Sequence, residues 1–159
     1  MADFGTALPW VLKHEGGYSN VLGDAGGETN HGITEVVARR HGYVGEMRDL
    51  PLGVAAAIYR QDYWHFDGIH DQGIATKIFD LAVNMGVGSA VRMAQRVLSE
   101  HADGIYGPAT EAAINGADPV LLMNQLCQAA ADRYHAIVDR CPGDTKFIDG
   151  WLRRAEDRP

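Results

Sequence analysis

Cysteine is nearly absent from the chain: Cys127 and Cys141 are the two present in 159 residues, and they stand 141 − 127 = 14 positions apart along what reads as one helix. Fourteen helical residues span about 21 Å, well beyond the ~7 Å between Cα atoms that a disulfide tolerates. Two unpaired thiols are therefore expected, in keeping with synthesis in a reducing compartment. Long apolar runs are missing too. No stretch approaches the ~20 apolar residues of a membrane span, and no basic run followed by an apolar core marks a secretory leader. The expectation is synthesis in the cytoplasm without a signal peptide and without a membrane span. Positive charge is scarce, with 14 Lys and Arg against 21 Asp and Glu, a formal net charge of −7. That balance argues against nucleic acid as a partner and gives no steering towards any acidic polymer. No Pro/Ser-rich linker, internal repeat or low-complexity tract interrupts the sequence.

What is present is ordinary globular composition, 46% apolar and 22% charged, in a chain long enough to bury a core without staples. Polar chemistry and backbone freedom coincide between His14 and Thr34. Upstream of that stretch Phe4, Leu8, Val11 and Leu12 recur at helical spacing, and four residues beyond Val11 the stripe ends on Glu15. Gly16 and Gly17 follow, which predicts a helix stop with left-handed backbone at the glycines. A carboxyl at the edge of an apolar face is the kind of group that general-acid cleavage of a glycosidic bond employs. Alternating short residues over 18–22 and 29–34, separated by the glycine-rich bend at 23–27, suit a small β-ribbon that displays Asp24, Glu28 and Thr29 across from Glu15. A local cap or salt bridge for Glu15 and a merely tight glycine loop would explain the same residues one by one.

The rest of the chain reads as helices. Thr34 caps a short helix over 35–41, and a core helix from Pro51 to Asp67-Gly68 ends in the aromatic group Tyr59, Tyr63, Trp64 and Phe66. Sugar stacking is one reading of that group and core packing the favoured one. A buried helix over 73–85 places Asp80 and Asn84 on one face, either satisfied within the core or reaching a cleft. Helices follow over 89–100, from Pro108, from Pro119 behind the cap Asp118, and over 146–154. In the last, Phe147, Ile148, Trp151 and Leu152 are expected to dock inward, while Arg153 and Arg154 stay out.

Other chemistries fit poorly. His14-Glu15 begins a zinc-protease motif whose second histidine would fall at Tyr18, and His31, His41, His65, His70, His101 and His135 lack paired ligand spacing. Asp24, Glu28 and Glu35 match three positions of a calcium loop that Gly26 and Thr29 break. Neither cysteine has a convincing base. No metal and no cofactor are expected.

The words Glu15-Gly16-Gly17-Tyr18 and Gly26-Gly27-Glu28-Thr29-Asn30-x-Gly32-Ile33-Thr34 resemble the signature of glycoside hydrolase family 108. Ile58-Tyr59-Arg60, Tyr63-Trp64, Phe79-Asp80-x-Ala82-Val83-Asn84-x-Gly86 and Lys146-Phe147-x-x-Gly150-Trp151-Leu152 are similar to its later parts. Asp103-Gly104-Ile105-Tyr106-Gly107-Pro108-Ala109-Thr110 resembles the word of small helical peptidoglycan-binding modules, although a turn with a helix start accounts for it equally.

The resemblance implies a mainly α, lysozyme-like fold with a small β-ribbon and a packed carboxyl-terminal helical part. Residues 1–88 would form the catalytic lobe and 89–159 a peptidoglycan-binding-like region. It implies an N-acetylmuramidase with Glu15 as catalytic acid. Asp24 fits the spacing at which more distant phage-type lysozymes place an Asp after that Glu, 24 − 15 = 9, while Thr29, at 29 − 15 = 14, falls just short of their Thr. Tyr18, Glu28, Asn30, Asn84, Asp103 and Tyr106 are the expected substrate-binding residues. Bacterial peptidoglycan is the expected partner, met in the periplasm by a monomer released through a holin-type pore. A chitinase-like glycosidase and a noncatalytic wall-binding protein are the alternatives.

Overall fold

The computed structural model describes residues 1–20 and 27–159, and the expected site residue Asp24 lies outside the described residues. Among those described are eight α-helices, two short 3-10 turns and one two-stranded antiparallel ribbon, the mainly helical, lysozyme-like architecture expected of the sequence. Helix α1, Phe4–His14, starts where the Asp3 carboxylate accepts the Thr6 N–H at 2.7 Å, and it buries Ala7 and Val11.

The ribbon differs from expectation. Strands β1, Thr29–Asn30, and β2, Ile33–Thr34, pair with Thr29 opposite Thr34 and Asn30 opposite Ile33. The segment 29–34 therefore folds back on itself, and Ser19 joins it through a single bridge to Thr29. His31 and Gly32 turn the hairpin with φ of 50° and 75°, the paired left-handed conformation whose twist matches a two-residue hairpin loop.

Thr34 caps α2, Glu35–Arg40. Helix α3, Leu52–Asp62, stops at Tyr63 rather than continuing to Asp67-Gly68. Trp64 and Phe66 both face the core; on a continued helix they would point roughly 200° apart, so leaving the helix lets both be buried. The favoured core assignment of these aromatics holds, with Trp64 edge-on to Phe79 at 5.3 Å between ring centroids.

Helix α4, Gln72–Met85, is the central post, with every residue from Ile74 to Ala82 buried. Around it pack α1, α5 (Val87–Val97) and α7 (Pro119–Arg140), while α6 (Pro108–Gly116) lies between α5 and α7 in sequence. Asp118 caps α7 by accepting the Leu121 N–H at 2.8 Å. Helix α8, Ile148–Glu156, follows a 3-10 turn and stands two residues later than the sequence periodicity suggests. Phe147 precedes it and is exposed rather than docked. Trp151 stacks on Tyr134 of α7, with ring centroids 5.5 Å apart.

One apolar cluster joins both halves of the chain, from Ala7 and Val11 through Tyr59 and Phe79 to Met93, Leu126 and Ala155. A boundary drawn at 88/89 falls within the first turn of α5. Cys127 is buried, Cys141 is exposed, and neither is bonded.

A charged residue stands in that core. Lys77 of α4 is fully buried, and its ammonium donates to the backbone carbonyls of Arg154 at 3.1 Å, Ala155 at 2.8 Å and Asp157 at 2.8 Å. These are the carbonyls that a helix end leaves without intrahelical partners. Burial pulls the Lys77 pKa down, and the three acceptors satisfy all its donors. The consequence is a fixed end to α8, and with it a fixed Arg154.

Candidate active site

Glu15 caps α1, its N–H donating to the Val11 carbonyl at 3.1 Å, and then takes an extended backbone with ψ of 135°. The helix therefore ends by turning out at Glu15; neither Gly16 nor Gly17 is left-handed. The side chain is 18% exposed and lies against the hairpin turn. A Cβ built on Gly32 would stand 2.6 Å from Glu15 Oε2 and would overlap the Tyr59 hydroxyl. Gly32 is thus required twice, by its φ and by the approach of the carboxylate. The Tyr59 hydroxyl donates to the His31 carbonyl at 2.9 Å, tying α3 to the same turn. Burial raises the Tyr59 pKa and the Glu15 charge adds to the shift; Tyr63 is raised by burial, by Asp62 and by Glu15. Both phenols stay neutral beside the carboxylate.

The strongest partner of Glu15 was not foreseen. Arg154 does not stay out: its side chain is 12% exposed, and Nη2 donates to Glu15 Oε1 at 2.9 Å. The same guanidinium meets Asp80, with Nη2 at 2.9 Å and Nε at 3.1 Å from Oδ1. Asp80 is itself buried. Burial opposes the Arg154 charge, yet the Asp80 hydrogen bonds and charge, with those of Glu15, raise its pKa overall. Two carboxylates provide the partners that make a buried guanidinium tolerable, so helical periodicity in α8 misjudged this residue.

Asn84, one turn beyond Asp80, accepts from the Tyr134 hydroxyl at 2.7 Å. Burial pushes the Tyr134 phenol up to about 12. On the other side of Glu15, His14 meets the Trp10 carbonyl at 3.1 Å and Asp157 at 3.0 Å, and Lys13 reaches Asp157 at 3.2 Å. Burial works against the Asp157 charge, but these two partners lower its pKa. Lys13, His14, Arg153, Arg154 and Asp157 line an open recess of about 610 Å³.

The remaining expected site residues fall into two groups. Tyr18, Glu28 and Thr29 gather at the hairpin, where Tyr18 and Asn20 donate to Glu28 Oε1 at 2.8 and 2.9 Å, and Thr29 exchanges two backbone bonds with Ser19. Asn30 is buried behind them and donates to the carbonyls of Met47 and Arg48 at 2.9 and 3.1 Å, which makes it a brace for the hairpin. Asp103 and Tyr106 belong to another network. Asp103 accepts from Gln95 and from the Ile105 N–H, both at 2.8 Å, and Tyr106 donates to Glu111 at 2.9 Å. Gln95 also donates to Thr110, so the Asp103–Thr110 word builds its own turn. The residues that sequence reasoning missed are Arg154, Tyr134 and His14. One signal for Arg154 was available: Asp80, in the middle of a helix read as buried, needs a hydrogen-bonding partner.

Residues 8–86 match the family model described as Glycosyl hydrolase 108, and residues 89–156 match that of a Predicted Peptidoglycan domain. Comparison with the curated proteins finds no match. Among solved structures, that of Brucella abortus SagA is similar with a TM-score of 0.78 and 32% sequence identity, over 96% of this chain and 88% of that one. Glu15, its Gly32 seat and Asp80 lie in the first matched segment and Arg154 in the second. The chain belongs to the glycosyl hydrolase 108 family and is a glycoside hydrolase that acts on peptidoglycan.

Proposed function

We propose that the enzyme is an N-acetylmuramidase in which Glu15 is the general acid for the β-1,4 bond between N-acetylmuramic acid and N-acetylglucosamine. The observation that supports this most is the placement of Glu15: a mostly buried carboxylate at the end of α1, with one oxygen bonded to Arg154 and the other over Gly32. The proton on Glu15 passes to the glycosidic oxygen as the bond to the anomeric carbon breaks, and water supplies the new hydroxyl. A second carboxylate orients that water or stabilises positive charge at the sugar. Asp24 fills this role in our reading, with Glu28 as its replacement on the hairpin and Thr29 as a hydrogen-bonding helper. Tyr18, Asn30, Asn84, Asp103 and Tyr106 are the proposed substrate contacts.

Residues 1–88 form the catalytic lobe and 89–159 the wall-binding part in this reading. The protein works as a monomeric endolysin, released through a partner's holin-type pore and active on the wall in the periplasm. The spacing of Asp24 after Glu15, which resembles that of phage-type lysozymes, supports the endolysin reading.

The test compares the wild type with Glu15→Gln on purified Gram-negative peptidoglycan, following turbidity and the masses of reduced muropeptides. Wild-type products ending in reducing muramic acid, with turnover lowered at least about a hundredfold by the substitution, are expected. Reducing-end glucosamine or free peptides would assign the cleavage to another bond. Wall binding with no cleavage would leave a noncatalytic binder.

A further inference from the structure

Arg154 is the one cation bonded to Glu15 among the described residues, and its own position is set from three directions. Asp80 grips the guanidinium through both Nε and Nη2, which fixes its plane as well as its place. Lys77 holds the Arg154 backbone carbonyl together with those of Ala155 and Asp157. Asp157 in turn is bonded to Lys13 and His14, the two residues before Glu15. The end of α8 is therefore clamped to α4 and α1 around a single carboxylate.

We propose that Arg154 is a positioning residue for catalysis: it holds Glu15 Oε1 so that Oε2, the oxygen over Gly32, carries the proton towards the glycosidic oxygen. The wall-binding segment thereby supplies part of the catalytic site. Asp80 makes the arrangement workable. With Glu15 protonated, Arg154 and Asp80 remain a balanced pair in the buried floor, so the guanidinium is never left without a counter-charge. This inference rests on the assignment of Glu15 as the acid.

The experiment uses the full chain as wild type, Arg154→Met, Arg154→Lys, Arg140→Met and Glu15→Gln. Initial rates over a range of peptidoglycan concentrations, co-sedimentation with wall and the thermal midpoint are measured for each. Misplacement of a reacting group by about 1 Å costs on the order of a hundredfold, so Arg154→Met is expected to lower kcat by about that factor. KM and wall binding should stay within about twofold, since substrate is bound elsewhere. Arg154→Lys, which keeps a cation against Asp80 but lacks the planar fork, should recover about tenfold of the loss. Arg140→Met, at an exposed position in the last turn of α7, should match the wild type.

Wild-type kcat in Arg154→Met would overturn the inference. So would a loss confined to KM and wall binding, which would make Arg154 a binding residue. If Arg154→Met melts below the assay temperature, Arg154→Lys decides: a folded variant with lowered kcat and unchanged KM upholds the inference, and wild-type kcat rejects it. Glu15→Gln separates the two levels. An inactive Glu15→Gln beside a fully active Arg154→Met rejects positioning alone, whereas an active Glu15→Gln rejects the acid assignment on which it rests.

Discussion

Gly32 is where single-residue chemistry is most constrained, because a side chain there meets both a backbone and a packing obstacle. Its φ of 75° lies in the left-handed region, which costs an L-residue about 1–2 kcal/mol. A methyl group would also press on Glu15 Oε2 and the Tyr59 hydroxyl. Gly32→Ala is therefore expected to destabilise the fold by about 2 kcal/mol and, with Glu15 as the proposed acid, to lower turnover on the order of a hundredfold, as displacement of a reacting group by about 1 Å does. Denaturant unfolding and initial rates on peptidoglycan check the two effects separately. The glycine was visible in the sequence as part of a family word, but its reason was not. Only the fold brings α1 and α3 against the hairpin turn.

At the scale of elements, α8 depends on α4 through one ammonium. Lys77→Met keeps much of the side-chain volume but leaves the carbonyls of Arg154, Ala155 and Asp157 without their donor. Each buried acceptor left unsatisfied costs about 1–3 kcal/mol, and the apolar replacement offsets part of the total. A net loss of about 3 kcal/mol is expected in denaturant unfolding, with kcat falling because Arg154 loses its anchor. Undiminished stability would mean that water reaches these carbonyls. Helices were read well wherever a cap and an apolar stripe coincided, as with Asp118 and α7. The errors fall where tertiary contacts overrule local pattern: α3 stops early to bury Trp64 and Phe66 together, and the hairpin closes on itself at His31-Gly32.

Across the whole molecule, the two matched segments share one core. Helix α4 packs against both α5 and α7, and the Lys77, Arg154 and Asp157 contacts cross the same junction. We expect a single cooperative unfolding transition, with calorimetric and van't Hoff enthalpies equal. Two resolved transitions would show that the halves are independently stable. No described helix is long and apolar enough to cross a membrane.

The sequence by itself determined the helical class, the family words and the placing of Glu15 at the end of α1, because these depend on neighbours within one or two turns: caps, periodicity and a contiguous motif. It determined that Cys127 and Cys141 stay apart, since helix length alone separates them. The tertiary structure decided what surrounds Glu15. Arg154 and Glu15 are 154 − 15 = 139 positions apart, and the polarity of an arginine on a short terminal helix predicts exposure. Only after α4 stands in the centre do Asp80 and Lys77 become buried groups that must find charges and carbonyls of opposite polarity. The end of α8 is where those partners lie.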